Sequence, residues 1–348
     1  MLPGRTVRIL SIDGGGIRGI IPALLLHHIK QNLEARGQEK PFARIFDLVA
    51  GTSTGGLIAL GLTAPDTETP PASNLLSWLT RRRPEPKLGI MNLVDFYRKQ
   101  GESIFPSRGF HRWRNLAQAF TEKYDTQALE TIARDILGDL TLRQTLCPVL
   151  ITAYDTTRMS MQLFRTTKAR IDKKENFYLR DVLRATSAAP TYFEPHQLSP
   201  VDRPDLEYTM VDGAVFANNP ALLAYYEAKR IFPLAKRFVI VSLGTGRQQR
   251  SYEYDQMQRW GFLDWINPLK GVPLLTMMNS AQNQLATYQL DRARDVDYIR
   301  LDRALEGCSA RIDDASPRNI ECLEEFVEKI IASSEPELTR IINLLKRA

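Results

Sequence analysis

LVAGTSTGGLIAL, residues 48–60, decides the fold class and raises the main functional question. Ile45–Ala50 is an apolar, bulky run that reads as a buried strand, and Gly56–Leu62 reads as the start of a helix. Between them, Gly51-Thr52-Ser53-Thr54-Gly55 has to turn the chain sharply. A strand–turn–helix flanked by glycines pushes the central hydroxyl out of the fold, which is the arrangement of a nucleophile elbow. The pattern has three fixed positions in five, so by itself it also describes a glycine-rich turn with a capping Ser or Thr. Its placement between strand and helix favours the nucleophile.

Working outward, strand patterns alternate with helical ones. Val7–Ile12, Val149–Tyr154 and Phe238–Leu243 read as strands, and Ile20 to about Ala35 reads as a helix with one apolar face. That alternation predicts an α/β fold around a largely buried sheet. Residues 63–90 interrupt it with the proline-rich polar stretch APDTETPPASN followed by LLSWLTRRRPEPKLG, a loop or insertion in which Leu75, Leu76, Trp78 and Leu79 adjoin Arg81–Arg83. Ser316-Pro317 and Ser334-Glu335-Pro336 read as the starts of two C-terminal helices. The expected organisation is one unit over residues 1–310, with an insertion or lid at 63–125, and a helical extension over 311–348 packed on it.

The 348 residues are 43% hydrophobic and 25% charged, an ordinary globular balance. No apolar run approaches the ~20 residues of a membrane span, and the N-terminus has no signal-peptide pattern. Cys147, Cys308 and Cys322 are odd in number and widely spaced, so neither a disulfide framework nor a zinc site is expected, and a reducing cytoplasm is. The formal charge of +6 suits an anionic partner such as a phospholipid surface or a nucleotide, or simply a solvated basic surface. No Lys/Arg block interleaved with aromatics points to nucleic acid.

A second glycine cluster, Asp13-Gly14-Gly15-Gly16-Ile17-Arg18-Gly19, follows the first strand. Gly14, Gly16 and Gly19 have the spacing of a dinucleotide fingerprint, but the second strand ends in Ala50 and Gly51, without the acidic residue that would hold a ribose. Read instead as exposed backbone N–H groups at a helix start, Gly14, Gly15 and Gly16 make an oxyanion hole, which alone accounts for Ser53. The four histidines are His27, His28, His111 and His196, and none follows Asp212, so an order Ser…Asp…His cannot be completed with that aspartate. A partly desolvated carboxylate can serve as base instead. Asp212 in YTMVDGAVFANNP is the best candidate, although Asp-Gly by itself reads first as a plain turn and Asn218-Asn219-Pro220 as a helix cap that needs no chemistry.

DGGGIRG at 13–19, GTSTG at 51–55 and DGA at 212–214 stand in the order that resembles the patatin-like phospholipases, serine lipid acyl hydrolases with a Ser–Asp dyad. ATSAAPTYFEP at 185–195, FANNP at 216–220 and VSLGTG at 241–246 look like the same family. The resemblance implies a three-layer α/β/α sandwich with a mostly parallel sheet. It implies Ser53 as nucleophile, Asp212 as base and the N–H groups of Gly14–Gly16 as oxyanion hole. Gly51, Gly55 and Gly213 would support the turns, and Arg18 would steady the glycine loop, meet a lipid phosphate or form a structural ion pair. Ser187, Ala188 and Ala189 would allow close packing. No metal or cofactor is needed for the chemistry.

A narrower resemblance concerns RILSIDGGGIRGIIPALLL at 8–26 and the pieces at 265–269 and 288–290, which look like bacterial patatin-like effectors of anti-phage signalling. Those are activated by a cyclic dinucleotide such as cGAMP and then degrade the cell's own membrane lipids. The implied partners are a phospholipid membrane surface, a cyclic dinucleotide activator and a homo-oligomer formed on activation, and the implied place is the cytoplasm, peripheral at the inner membrane when active. A constitutive lipase or lysophospholipase, and a non-catalytic lipid-binding module, remain the alternatives.

Overall fold

The computed structural model describes residues 4–66, 84–106, 124–248, 251–267 and 272–346. An 8-stranded sheet runs through its middle. The strands are β1 (Thr6–Ile12), β2 (Leu48–Thr52), β3 (Val149–Asp155), β4 (Ser160–Arg165), β5 (His196–Leu198), β6 (Tyr208–Asp212), β7 (Arg237–Leu243) and β8 (Val296–Leu301). The spine β3-β2-β1-β7-β8 is parallel throughout. β4, β5 and β6 add antiparallel pairings at one side. The main helices are α1 (Ile20–Glu34), α2 (Thr54–Thr63), α3 (Ile90–Ile104), α4 (Gln127–Leu137), α5 (Leu179–Thr186), α6 (Ala221–Ile231), α7 (Pro273–Asp291), α8 (Pro317–Ser333) and α9 (Glu335–Leu345).

Period-two alternation sends side chains to two separate cores. Val7, Ile9, Leu48, Ala50, Phe238 and Ile240 face one side, where α6 and Leu290 of α7 cover them. Leu10, Ile12, Val49, Ile151, Val241 and Leu243 face the other, with α1 and α2. Both faces are covered, so the central strands read as continuous apolar runs. The architecture is a three-layer α/β/α sandwich with a mostly parallel sheet. α1 buries Ile20, Ile21, Leu25, Leu26, Ile29 and Leu33 because α8 and α9 pack over it from outside.

Three expectations change. The strand expected over Ile45–Ala50 is Leu48–Thr52, preceded by a helical turn at Phe42–Ile45. Ile45 is buried from that turn, and burial alone produces the apolar signal that reads as strand. The cysteines are not all unpaired: Cys308, in the loop after β8, is joined by a disulfide to Cys322 of α8 across 14 positions. The chain returns on itself between them, which spacing does not reveal, and the compartment argument from cysteine count falls away. Cys147 stays free and buried. Ser316 caps α8, but Ser334 does not cap α9 with its side chain, because its hydroxyl accepts from Arg303 at 2.9 Å.

Of the expected insertion at 63–125, the segments 67–83 and 107–123 lie outside the described residues, and with them Leu75, Leu76, Trp78, Leu79, Arg81–Arg83 and His111. The part between them is α3, which buries Leu93, Val94, Phe96 and Tyr97 against the rest of the fold. Among the described residues, no helix is long and apolar enough to cross a membrane.

Candidate active site

Strand pairing brings the two halves of the site together. β4 runs along one edge of β3 from Leu150 to Asp155, so β2 and β6 share the opposite edge. β2 pairs in parallel and ends at Thr52 opposite Thr152, while β6 pairs antiparallel and ends at Asp212 opposite Ala153. The two strands therefore meet end to end, and the turns that leave them start side by side. The Thr52 hydroxyl donates to the Ala217 carbonyl at 2.7 Å and accepts from the Thr152 hydroxyl at 2.7 Å, which ties the junction together.

The Ser53 turn is tight enough to require its glycines. Ser53 has φ 54°, a region that costs a side-chain-bearing residue roughly 1–3 kcal/mol and persists where the surroundings enforce it. A Cβ on Gly51 would lie 2.2 Å from the Gly55 carbonyl oxygen, and one on Gly55 would lie 2.2 Å from that of Ile12. Ser53 N–H donates to Thr186 Oγ1 at 2.8 Å, and α2 begins at the next residue. The helix thus points its N-terminal N–H groups and positive dipole end at the space beside Ser53.

Asp212 is 2% exposed. Its N–H donates to the Ala188 carbonyl at 2.9 Å, and one carboxylate oxygen accepts from Ala214 N–H at 2.8 Å. The Ser53 side chain is close enough to the same carboxylate to favour its ionised form. Burial pushes Asp212 up to about 7, with the Ala214 N–H bond and the nearby Ser53 side chain opposing the rise. That is where a general base for neutral pH should sit. Gly213 is required because a Cβ there would lie 2.2 Å from Thr152 Oγ1.

The glycine loop after β1 closes the site from a third direction. Cβ atoms on Gly14, Gly15 and Gly16 would meet Asn218 Oδ1 at 2.6 Å, Thr245 Oγ1 at 2.3 Å and the Ile312 carbonyl oxygen at 2.1 Å. Gly14 N–H donates to the Asn218 carbonyl at 3.1 Å, so of the three donors expected for an oxyanion hole this one is already engaged, unlike those of Gly15 and Gly16. Among the described residues, no backbone hydrogen bond uses those two N–H groups. Beneath the loop, Asp13 is buried and gripped through both oxygens by Arg300, at 3.2 and 2.6 Å, and Arg300 also holds Asp302 at 2.9 Å. Burial raises Asp13, the Asp302 charge adds to the rise, and Arg300 offsets it. Arg18 donates to the Gly246 carbonyl at 3.0 Å, so it steadies the loop after β7.

An apolar cavity opens from Ser53, walled by Leu57, Phe96, Ile104, Leu129, Leu183 and Phe193. Ser187 and Ala189 line it too, so the small residues after α5 form its wall while Ala188 anchors Asp212. No histidine is among its described lining residues. His28 bonds Asn32 on α1, and His196 sits 3.7 Å from Asp181. Among the described residues, no cluster of His, Cys, Asp and Glu could hold a metal ion.

The family profile "Patatin-like phospholipase" matches residues 10–225. The chain belongs to the patatin-like phospholipase family. It is similar to Patatin-like protein 2 of Arabidopsis thaliana, 32% identical over 359 residues that cover 94% of this chain and 84% of that one. Patatin-like protein 3 of Arabidopsis thaliana is also 32% identical, over 94% of this chain and 81% of its own. Among solved structures, VipD from Legionella pneumophila overlaps it with a TM-score of 0.41 at 12% identity, covering 95% of this chain and 67% of that chain.

The stretch that matches the patatin-like family holds Ser53, Asp212 and the glycine loop, yet the site does not end at residue 225. Thr245, Arg300 and Ile312 reach it from the later strands and loops. Sequence reading missed these three, together with Thr186 and the Gly14 contact of Asn218. Thr186 lies in ATSAAP, whose small residues pointed to close packing, and Asn218 in FANNP read as a helix cap. Arg300 carried no local signal.

Proposed function

We propose that this patatin-like lipid acyl hydrolase cleaves membrane phospholipid esters with Ser53 as nucleophile and Asp212 as its only base. The observation that carries the reading is Ser53, held at positive φ on a helix N-terminus, with the buried Asp212 carboxylate brought beside it by the meeting of β2 and β6. Ser53 Oγ attacks the ester carbonyl as its proton passes to Asp212. The oxyanion that forms is held by the N–H groups of Gly15 and Gly16, aided by the dipole of α2. Collapse expels the alcohol, which takes the proton back from Asp212 and leaves the acyl group on Ser53. Water then attacks, deprotonated by Asp212, and collapse releases the fatty acid as Asp212 returns that proton to Ser53 Oγ. The apolar cavity beside Ser53 suits the acyl chain.

The finer reading adds a switch: activation by a cyclic dinucleotide such as cGAMP, release of lipids from the inner membrane, and a role in anti-phage defence. It is supported by the likeness of residues 8–26 to bacterial effectors and by the +6 charge, which suits an anionic activator and an anionic membrane. One experiment tests both levels. Fatty acid release from mixed phospholipid vesicles is followed for wild type and Ser53→Ala, with and without a panel of cyclic dinucleotides. Release that needs one nucleotide and disappears in Ser53→Ala is the expected result. Equal release without nucleotide discards the switch and leaves a constitutive lipase. Release retained by Ser53→Ala sinks the serine mechanism.

A further inference from the structure

α7 leaves outward an apolar stripe that a lone surface helix would bury. Leu274, Met278, Ala281, Leu285 and Tyr288 are all exposed, the leucines, methionine and tyrosine between 46% and 57%. Their spacing alternates four and three residues, which lines them along one narrow outer stripe. Asn279, Gln282 and Asn283 instead keep amide oxygens buried with no hydrogen-bond partner among the described residues. The inward face is thus mixed, with Ala286 and Leu290 buried beside these amides, whereas a soluble helix ordinarily keeps its larger apolar stripe inward. The short helix Phe262–Trp265 packs beside α7 and adds exposed Phe262 and Leu263, with Ile266 following.

Charge and shape select the occupant. From Pro273 to Leu290 the helix carries no charged residue. A helix that lies on lipid is typically rich in Lys and Arg on its polar face and has a broad apolar side. A narrow stripe of four-three spacing is instead the seam of helix against helix. Its flanks, such as Ser280 and Gln284, are polar and neutral, so two copies meet without like-charge repulsion. The exposed side chains of the stripe and of Phe262, Leu263 and Ile266 together present on the order of 800 Å², the share one partner brings to a standard interface.

We infer that α7 is the dimerisation surface of this protein, packing against α7 of a second copy with Ala281 at the crossing point. Ala281 is the smallest residue of the stripe and its midpoint, so the two helices approach most closely there. The contact is isologous, each copy supplying the same patch. The inference is independent of the catalytic proposal, because none of these residues touches Ser53 or Asp212. Gln282 does donate to the Val215 carbonyl at 3.3 Å, so the dimer would brace the turn that follows Asp212.

Sedimentation velocity on the full chain, from micromolar to hundred-micromolar concentration, tests it together with cysteine cross-linking. Wild type is expected to be dimeric, and Leu285→Glu to raise the dimer Kd roughly a hundredfold while keeping its melting temperature. Ala281→Cys is expected to form a disulfide-linked dimer under mild oxidation, and Ser280→Cys, one residue off the stripe, to stay uncross-linked. The native cysteines do not interfere, since Cys147 is buried and Cys308 is paired with Cys322. A wild type that is monomeric throughout overturns the inference, as does a dimer that Leu285→Glu leaves intact. Loss of vesicle binding in Leu285→Glu, with wild type monomeric, would reassign the stripe to a lipid surface.

Discussion

Asp212 is the residue on which reactivity and stability pull in opposite directions. Burial raises it to about 7, so the carboxylate form that the proposed base role needs becomes the major form only as pH rises past that value. Turnover of a soluble ester, as kcat/KM, should therefore fall about tenfold per pH unit below that value and level off above it. The stability dependence has the opposite sign. A carboxyl whose folded pKa exceeds its unfolded value contributes stability that is fully present below the unfolded pKa and is lost as pH rises through about 7. Asp212→Asn keeps an oxygen for Ala214 N–H but cannot ionise. Chemical denaturation should find it more stable than wild type by about 1–3 kcal/mol at pH 8, nearly equal at pH 4, and inactive at both. A variant that is less stable at pH 8 would show that burial is not what raises Asp212.

At the scale of elements, the site is a set of turns held by backbone contact. A Cβ on Gly55 would meet the carbonyl oxygens of Ile12 at 2.2 Å and Asp13 at 2.8 Å, both rigid backbone. Gly55→Ala should cost about 2–4 kcal/mol of stability and most of the activity, because the strand, the elbow and the glycine loop must all shift. Gly89→Ala is the control: its Cβ would meet only the Asn92 side chain, at 3.2 Å, and it caps α3 outside the lining of the cavity. A melting temperature for Gly55→Ala equal to that of Gly89→Ala would contradict this account. The elbow was legible in residues 51–55 because its strain and its small neighbours are all within five positions. The start of β2 was not, because Ile45 is buried in a helical turn just as thoroughly as a strand residue would be.

Over the whole molecule, the C-terminal third completes a site whose motifs lie earlier. The loop between β8 and α8 lays the Ile312 carbonyl on Ile17 N–H at 2.9 Å and against Gly16. The disulfide between Cys308 and Cys322 ties that same loop to α8, which packs on α1. Closing a loop of this length restricts the unfolded chain by about 3 kcal/mol. Cys308→Ser with Cys322→Ser should lower the melting temperature by several degrees, read by calorimetry, and reductant should do the same to wild type and nothing to the double variant. The remaining thiol, Cys147, is pushed up to about 12 by burial and takes no part. An unchanged melting temperature would mean the loop is ordered by its other contacts alone.

What the sequence determined by itself is what short-range sterics and periodicity encode. The alternating strands and helices, the buried parallel spine and the strained serine turn all follow from neighbours a few positions apart. Asp212 was only half legible: Asp-Gly alone is a turn, and it stood out through the order of three motifs. Tertiary structure decided the rest. The meeting of β2 and β6 on one edge of β3 sets Asp212 beside Ser53, and no local pattern states that register. Thr186, Thr245, Arg300 and Ile312 arrive from 133 to almost 300 positions away. The basicity of Asp212 also belongs to the folded state, because desolvation is produced by every group that surrounds a charge and not by the residues beside it in the chain.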